Sequence, residues 1–97
     1  MKIYELDFTP SALKEWKKLG STLKEQFKKK LDERIHNPRV PKDRLSGDTN
    51  LYKIKLRSAR YRLVYEVNDH VIMILVLSVG KRERSEVYKK ALERLVD

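Results

Sequence analysis

The chain contains no cysteine. Disulfides, thiolate metal centres and cysteine nucleophiles are excluded with it. Histidine occurs only as His36 and His70. One falls at a helix end and the other in a turn, with no metal-ligand spacing between them. Glycine is scarce, at three residues, and forms no phosphate-cradling loop. No nucleophile–base–orienter set of a hydrolase triad is present. No long hydrophobic run occurs either. The longest, "VIMILVL" from Val71 to Leu77, is too short to span a bilayer, and "MKIYELDFTP" at the start lacks the apolar centre of a signal peptide. A cytoplasmic protein without membrane partner, metal or cofactor is expected. Acidic residues are also in deficit, with 14 Asp and Glu against 23 Lys and Arg, a net charge of +9. An excess of that size in 97 residues points to an anionic partner, nucleic acid foremost.

The length suits a single domain, 1–97. "IYELDF" alternates as a first strand, Ile3 to Phe8. Thr9 and Pro10 then start a helix as N-cap and first helical residue. Its apolar face is Ala12, Leu13, Trp16 and Leu19, and Gly20 is expected to stop it. Ser21 is expected to cap a second helix, in which Leu23, Phe27, Leu31 and Ile35 form the inward stripe until Asn37-Pro38. The outward face of that helix then holds Lys24, Lys28, Lys29, Lys30 and Arg34, either a nucleic-acid footprint or simply a solvated surface. A loop follows through Asn50. Three strands come next, Leu51–Arg57, Arg60–Val67 and His70–Val79, the last two joined by an Asn68-Asp69 turn. The third is apolar on both faces and so is expected to be central. After Gly80, "KRERSEVYKKALERLVD" carries a helical stripe. The order β-α-α-β-β-β-α is an α+β fold, an antiparallel sheet with an N-terminal αα-hairpin and a C-terminal helix.

"YKIKLRSARYRLVYEV", Tyr52 to Val67, fixes its own register. Pairing Arg57 with Arg60 sets Leu56 opposite Tyr61, Ile54 opposite Leu63 and Tyr52 opposite Tyr65, one wholly apolar face. The other face then gathers Lys53, Lys55, Arg57, Arg60 and Arg62. A one-residue slip would mix the two faces, which burial opposes. Buried together, so many cations would be very costly. Their face must therefore stay open to water or to an anion. Arg82 follows the last strand at once, and Tyr88 on the final helix adds an aromatic able to stack on a base.

Lys, Arg and Tyr alone suffice for one reaction, RNA cleavage by the substrate's own 2′-OH. That reaction needs a proton removed, a proton donated and the phosphorane's charge stabilised. Arg62 and Lys53 suit the charge. Crowding by cations favours the neutral amine of Lys55, the form a base requires. Arginine is a poor acid by its pKa, so catalysis with Arg82 as donor must lean on alignment of the substrate.

"LKEWKKLGST", "KIKLRSARYRLVYEV" and "SVGKRERSEVY" resemble the RelE family of bacterial toxins over nearly the whole chain. The resemblance implies a microbial ribonuclease-like fold and an mRNA endonuclease that works in the A site of the 70S ribosome, against 16S rRNA, without metal or cofactor. It implies a RelB-type antitoxin as partner. It also implies Lys53, Lys55, Arg62, Arg82 and Tyr88 as the catalytic set, with Lys55 as base, Arg82 as acid, Arg62 and Lys53 on the phosphate and Tyr88 stacked on a base. Lys28, Lys29, Lys30, Arg34, Arg44, Arg57, Arg60, Lys81 and Arg84 are the candidate RNA- and ribosome-binding cations. Where relatives carry "KLRG", this chain has "RLSG" with Ser46, and Arg44 lies two residues earlier. The alternatives are a ParE-like toxin that binds gyrase without catalysis, and a plain basic nucleic-acid-binding module.

Overall fold

The computed structural model describes residues 3–45 and 50–81. The first strand, β1, is Glu5–Phe8, shorter than the alternation of Ile3 to Phe8 predicts. Helix α1 is Pro10–Lys17, and Thr9 caps it by accepting the Ala12 N–H on Oγ1 at 3.1 Å. Gly20 does not end α1, which closes at the C-cap Lys18. It is instead the N-cap of α2, Ser21–Arg34, and Ser21 becomes the first residue inside that helix. Glycine offers no side-chain acceptor there but costs only a few tenths of a kcal/mol against serine. A 3-10 turn, Pro41–Asp43, interrupts the loop. Strands β2 (Leu51–Leu56), β3 (Tyr61–Asn68) and β4 (Met73–Lys81) complete the described elements. The C-terminal helix expected after Gly80 lies outside the described residues.

Sheet order is β1-β4-β3-β2. The last three strands form the expected antiparallel meander, with β4 central. β1 joins β4 in parallel, so the sheet as a whole is mixed. The two-helix segment carries the chain across one face before it returns, which is what a parallel neighbour requires. The β2–β3 register matches the sequence argument pair for pair: Tyr52–Tyr65, Ile54–Leu63, Lys55–Arg62 and Leu56–Tyr61. The β3–β4 connection differs. Four residues, Asp69 to Ile72, replace the two-residue turn. Asn68 Oδ1 accepts the N–H groups of His70 and Val71 at 2.9 and 3.3 Å, and Ile72 takes a positive φ of 52°.

The main core lies between the sheet and the two helices. Phe27, Ile54, Leu63 and Ile74 are all buried in it, and Tyr52 stacks on Tyr65 with ring centroids 5.8 Å apart. Trp16 is only half-buried, wedged between Phe8 and Phe27 at 5.3 and 6.2 Å. On the opposite face Leu51, Val64 and Leu77 form a second, smaller buried cluster. A register shift makes it possible. Val64 pairs with Ser78 but Tyr65 pairs with Val76, leaving Leu77 as the extra residue of a β-bulge.

Arg34 overturns its expected place on the outer face of α2. It lies one turn after Leu31, on the inner stripe, and only 9% of it is exposed. Its guanidinium donates to Asp43 Oδ2 at 2.5 Å, to the Tyr65 hydroxyl at 2.8 Å and to the Lys53 carbonyl at 3.3 Å. The Tyr65 hydroxyl in turn donates to the Pro38 carbonyl at 2.6 Å. Burial pushes the Tyr65 phenol up to about 12, with the guanidinium opposing in part. A cation can enter a core this way because three of its donors find acceptors there, one of them a carboxylate. Arg34 is therefore withdrawn from the RNA-binding set.

Candidate functional site

β2 and β3 carry the cations, and strand alternation decides which face they share. Lys55 is the Cα partner of Arg62, and Lys53 the partner of Val64. On its other side Arg62 pairs with Gly80 of β4, a residue without a side chain. Lys55 is exposed and Lys53 half-buried, whereas Arg62 is only 8% exposed. A guanidinium is charged at any working pH. In a partly desolvated place it favours an anion more strongly than a fully hydrated one does.

The β2–β3 turn, residues 57–60, completes the cluster. Arg60 holds a positive φ of 56°, and its N–H reaches the Arg57 carbonyl at 3.4 Å. Arg57 and Arg60 are both exposed. Lys55, Arg57, Arg60 and Arg62 together line a cavity of about 380 Å³ whose other walls are Leu56 and Tyr61. Four candidates from two strands and their turn thus meet round one hollow, large enough for a phosphodiester.

The remaining candidates fall elsewhere. Lys53 stands one step back along β2, its carbonyl held by Arg34. Lys81 pairs with Tyr61, so register puts it on the helix side of the sheet, away from Lys53, Lys55 and Arg62. Arg44 is exposed and bridges to Tyr52 at the start of β2. Lys28, Lys29 and Lys30 are exposed on α2. Arg82, Arg84 and Tyr88 lie outside the described residues, as does Ser46. Among the described residues, no group of three or more His, Asp or Glu side chains is placed to hold a metal ion. Two residues near the site escaped the sequence: Asp43, which anchors Arg34, and Lys42 beside it. Neither carries a local signal, because only the return of the loop onto α2 gives them a role.

The family model described as the ParE toxin of type II toxin-antitoxin system, parDE, matches residues 6–86. The mRNA interferase toxin RelE of Escherichia coli K12 is 57% identical over 96% of this chain and 98% of its own length. The chain belongs to the RelE family. The RelE fold extends through the described structure. A mutant of the E. coli RelE toxin in the free state superposes with a TM-score of 0.89 at 55% identity, covering 96% of this chain and 98% of that one. RelE within the intact E. coli RelBE toxin–antitoxin complex gives 0.80 at 57% identity, covering 84% and 99%. The cationic hairpin singled out from the sequence therefore sits in a RelE-type scaffold.

Proposed function

We propose that the chain is the toxin of a type II pair, an endoribonuclease that cuts mRNA in the ribosomal A site and is held inactive by a RelB-type antitoxin. The observation that carries this reading is the cationic face of β2 and β3, Lys53 and Lys55 with Arg62, in a chain 57% identical to an mRNA interferase. The antitoxin assignment is supported by a similar toxin in complex with RelB. A ribosomal substrate puts the protein in the cytoplasm.

In this reading the nucleophile belongs to the RNA. The 2′-OH attacks the adjacent phosphorus, the bond to the 5′ oxygen breaks, and the products end in a 2′,3′-cyclic phosphate and a 5′-OH. Lys55, the exposed member at the rim of the cavity, takes the 2′-OH proton. Arg62, its buried cross-strand partner, holds a non-bridging phosphate oxygen and stabilises charge as the phosphorane forms. Lys53 adds to the same field. Arg82 returns a proton to the leaving 5′ oxygen, and Tyr88 stacks on a base to align the attack. Such a set depends on a substrate already in line, which a codon held in the A site supplies. Lys28, Arg44, Arg57 and Arg60 supply phosphate contacts that position without reading sequence.

Primer extension on an mRNA translated with and without the protein tests the reading. Cuts within A-site codons are expected, and scattered cuts on ribosome-free RNA would refute the ribosome dependence. Lys55→Ala is expected to slow single-turnover cleavage on ribosomes far more than it weakens ribosome binding. Equal losses in both would remove Lys55 from the chemistry.

A further inference from the structure

A second cavity adjoins the first at the end of β2. It is larger, about 960 Å³, and runs between the C-terminal half of α2 and β2. The two share Lys55, Leu56 and Arg57. Because β2 is the edge strand, the hollow surface passes without a break from the cationic face, round the edge of the sheet, to the side of α2.

The fold also divides a run that looks uniform in sequence. Lys29 and Lys30 line this groove with Gln26 and Glu33, whereas Lys28 does not. Lys42, from the 3-10 turn, stands in the lining as well. Of the two acids there, Asp43 is already committed to Arg34. The apolar lining residues, Ile54 and Leu56, are themselves buried, so the groove lacks the open apolar anchors on which a protein segment docks. No aromatic side chain lines it, so bases have nothing to stack on. Cations without aromatics suit a phosphate chain held irrespective of sequence.

We propose that this groove is a second RNA site, holding the phosphates of the mRNA strand being cut, on one side of the scissile bond. The proposal rests on the RNA-cleaving reading above. Lys29 and Lys30 from α2 and Lys42 from the turn grip the flanking strand. Lys55 and Arg57 mark the point where it leaves the reaction face.

The test uses ribosomes programmed with two series of mRNAs, truncated at increasing distances 5′ or 3′ of the A-site codon. Cleavage by the full-length chain is followed at several salt concentrations. For the unsubstituted protein, kcat/KM is expected to rise with flank length in one of the two series and then level off. Lys29→Gln with Lys30→Gln should abolish that rise and flatten the salt slope by about 1.4, two contacts at roughly 0.7 each on single-stranded nucleic acid. Lys42→Gln, on a different element, should lower the plateau in the same series. Lys17→Gln, an exposed charge on α1, should change nothing. A loss equal at every flank length would assign the lysines to ribosomal RNA and overturn the proposal. So would unchanged cleavage together with failed antitoxin neutralisation, which would make the groove a protein-docking site. An unsubstituted protein that makes no A-site cuts at all would refute the RNA-cleaving reading itself, a result distinct from the other two.

Discussion

Arg34→Met removes one side chain but strands several polar groups. Asp43, with 16% of its side chain exposed, loses its cation, and the Lys53 carbonyl and Tyr65 hydroxyl each lose a donor. Breaking a buried ion pair from one side typically costs about 3–5 kcal/mol. Asp43 keeps some access to water, so the lower end, about 3 kcal/mol, is expected. Domains of this size have about 5–15 kcal/mol of stability in all, so the variant should melt far below the unsubstituted protein. Replacing both partners is a different perturbation. Arg34→Met with Asp43→Asn leaves no uncompensated charge, and such exchanges are often close to neutral. The double variant should therefore recover part of that loss, staying about 1–2 kcal/mol below the unsubstituted chain for the donors that the Lys53 carbonyl and Tyr65 hydroxyl still lack. Urea unfolding of all four members of the cycle, with slopes compared for constancy, gives the coupling directly. Additive losses in the double variant, or a single-variant loss under about 1 kcal/mol, would show that the guanidinium is hydrated in solution and that α2 is not locked to β2 through it.

Leu63→Ala should cost about 2–5 kcal/mol, because Leu63 is fully buried between Ile54 and Val79. A thermal melt without loss would refute the β2–β3 register. Tyr65→Phe tests the buried phenol. Its folded pKa of about 12 lies above the ordinary 10, so the contribution is fully present below pH 10 and is lost as pH rises from 10 to 12. At about 1.4 kcal/mol per pKa unit the loss is roughly 2–3 kcal/mol. The urea midpoint of the unsubstituted chain should fall more steeply over that range than that of Tyr65→Phe, and parallel curves would show that Tyr65 reaches water.

The cationic hairpin was legible because its information is local. Tyr52, Ile54 and Leu56 alternate with Lys53 and Lys55, and only one register keeps Leu63 and Tyr65 opposite apolar partners. Thr9 with Pro10 announced α1 for the same reason: a cap needs only its next three residues. What stayed hidden depends on the far side of the fold. In the helical stripe, Arg34 reads as a surface residue until Asp43 and the Tyr65 hydroxyl are known to be within reach. Leu77 gives no sign of a bulge, since a wholly apolar strand looks alike in either phase. The parallel docking of β1 and the four-residue Asp69–Ile72 connection are likewise decided by packing. Within the site, strand alternation revealed which cations share a face, but not that Lys81 falls on the other side, nor that Lys29 and Lys30 part company with Lys28.

β2 ends the sheet, so one row of its backbone N–H and C=O groups is turned away from β3. An uncovered edge invites a second chain to add itself as a further strand. Here Arg34 occupies one of those carbonyls, and Lys53 and Lys55 recur at alternate positions along the strand. An identical strand approaching in register would bring like charges together. The residues proposed to hold RNA are thus also what discourages toxin molecules from pairing edge to edge. Variants that neutralise them lose that protection. Poor solubility of such a variant then reports an unguarded strand, and its activity has to be compared on protein whose oligomeric state matches that of the unsubstituted chain.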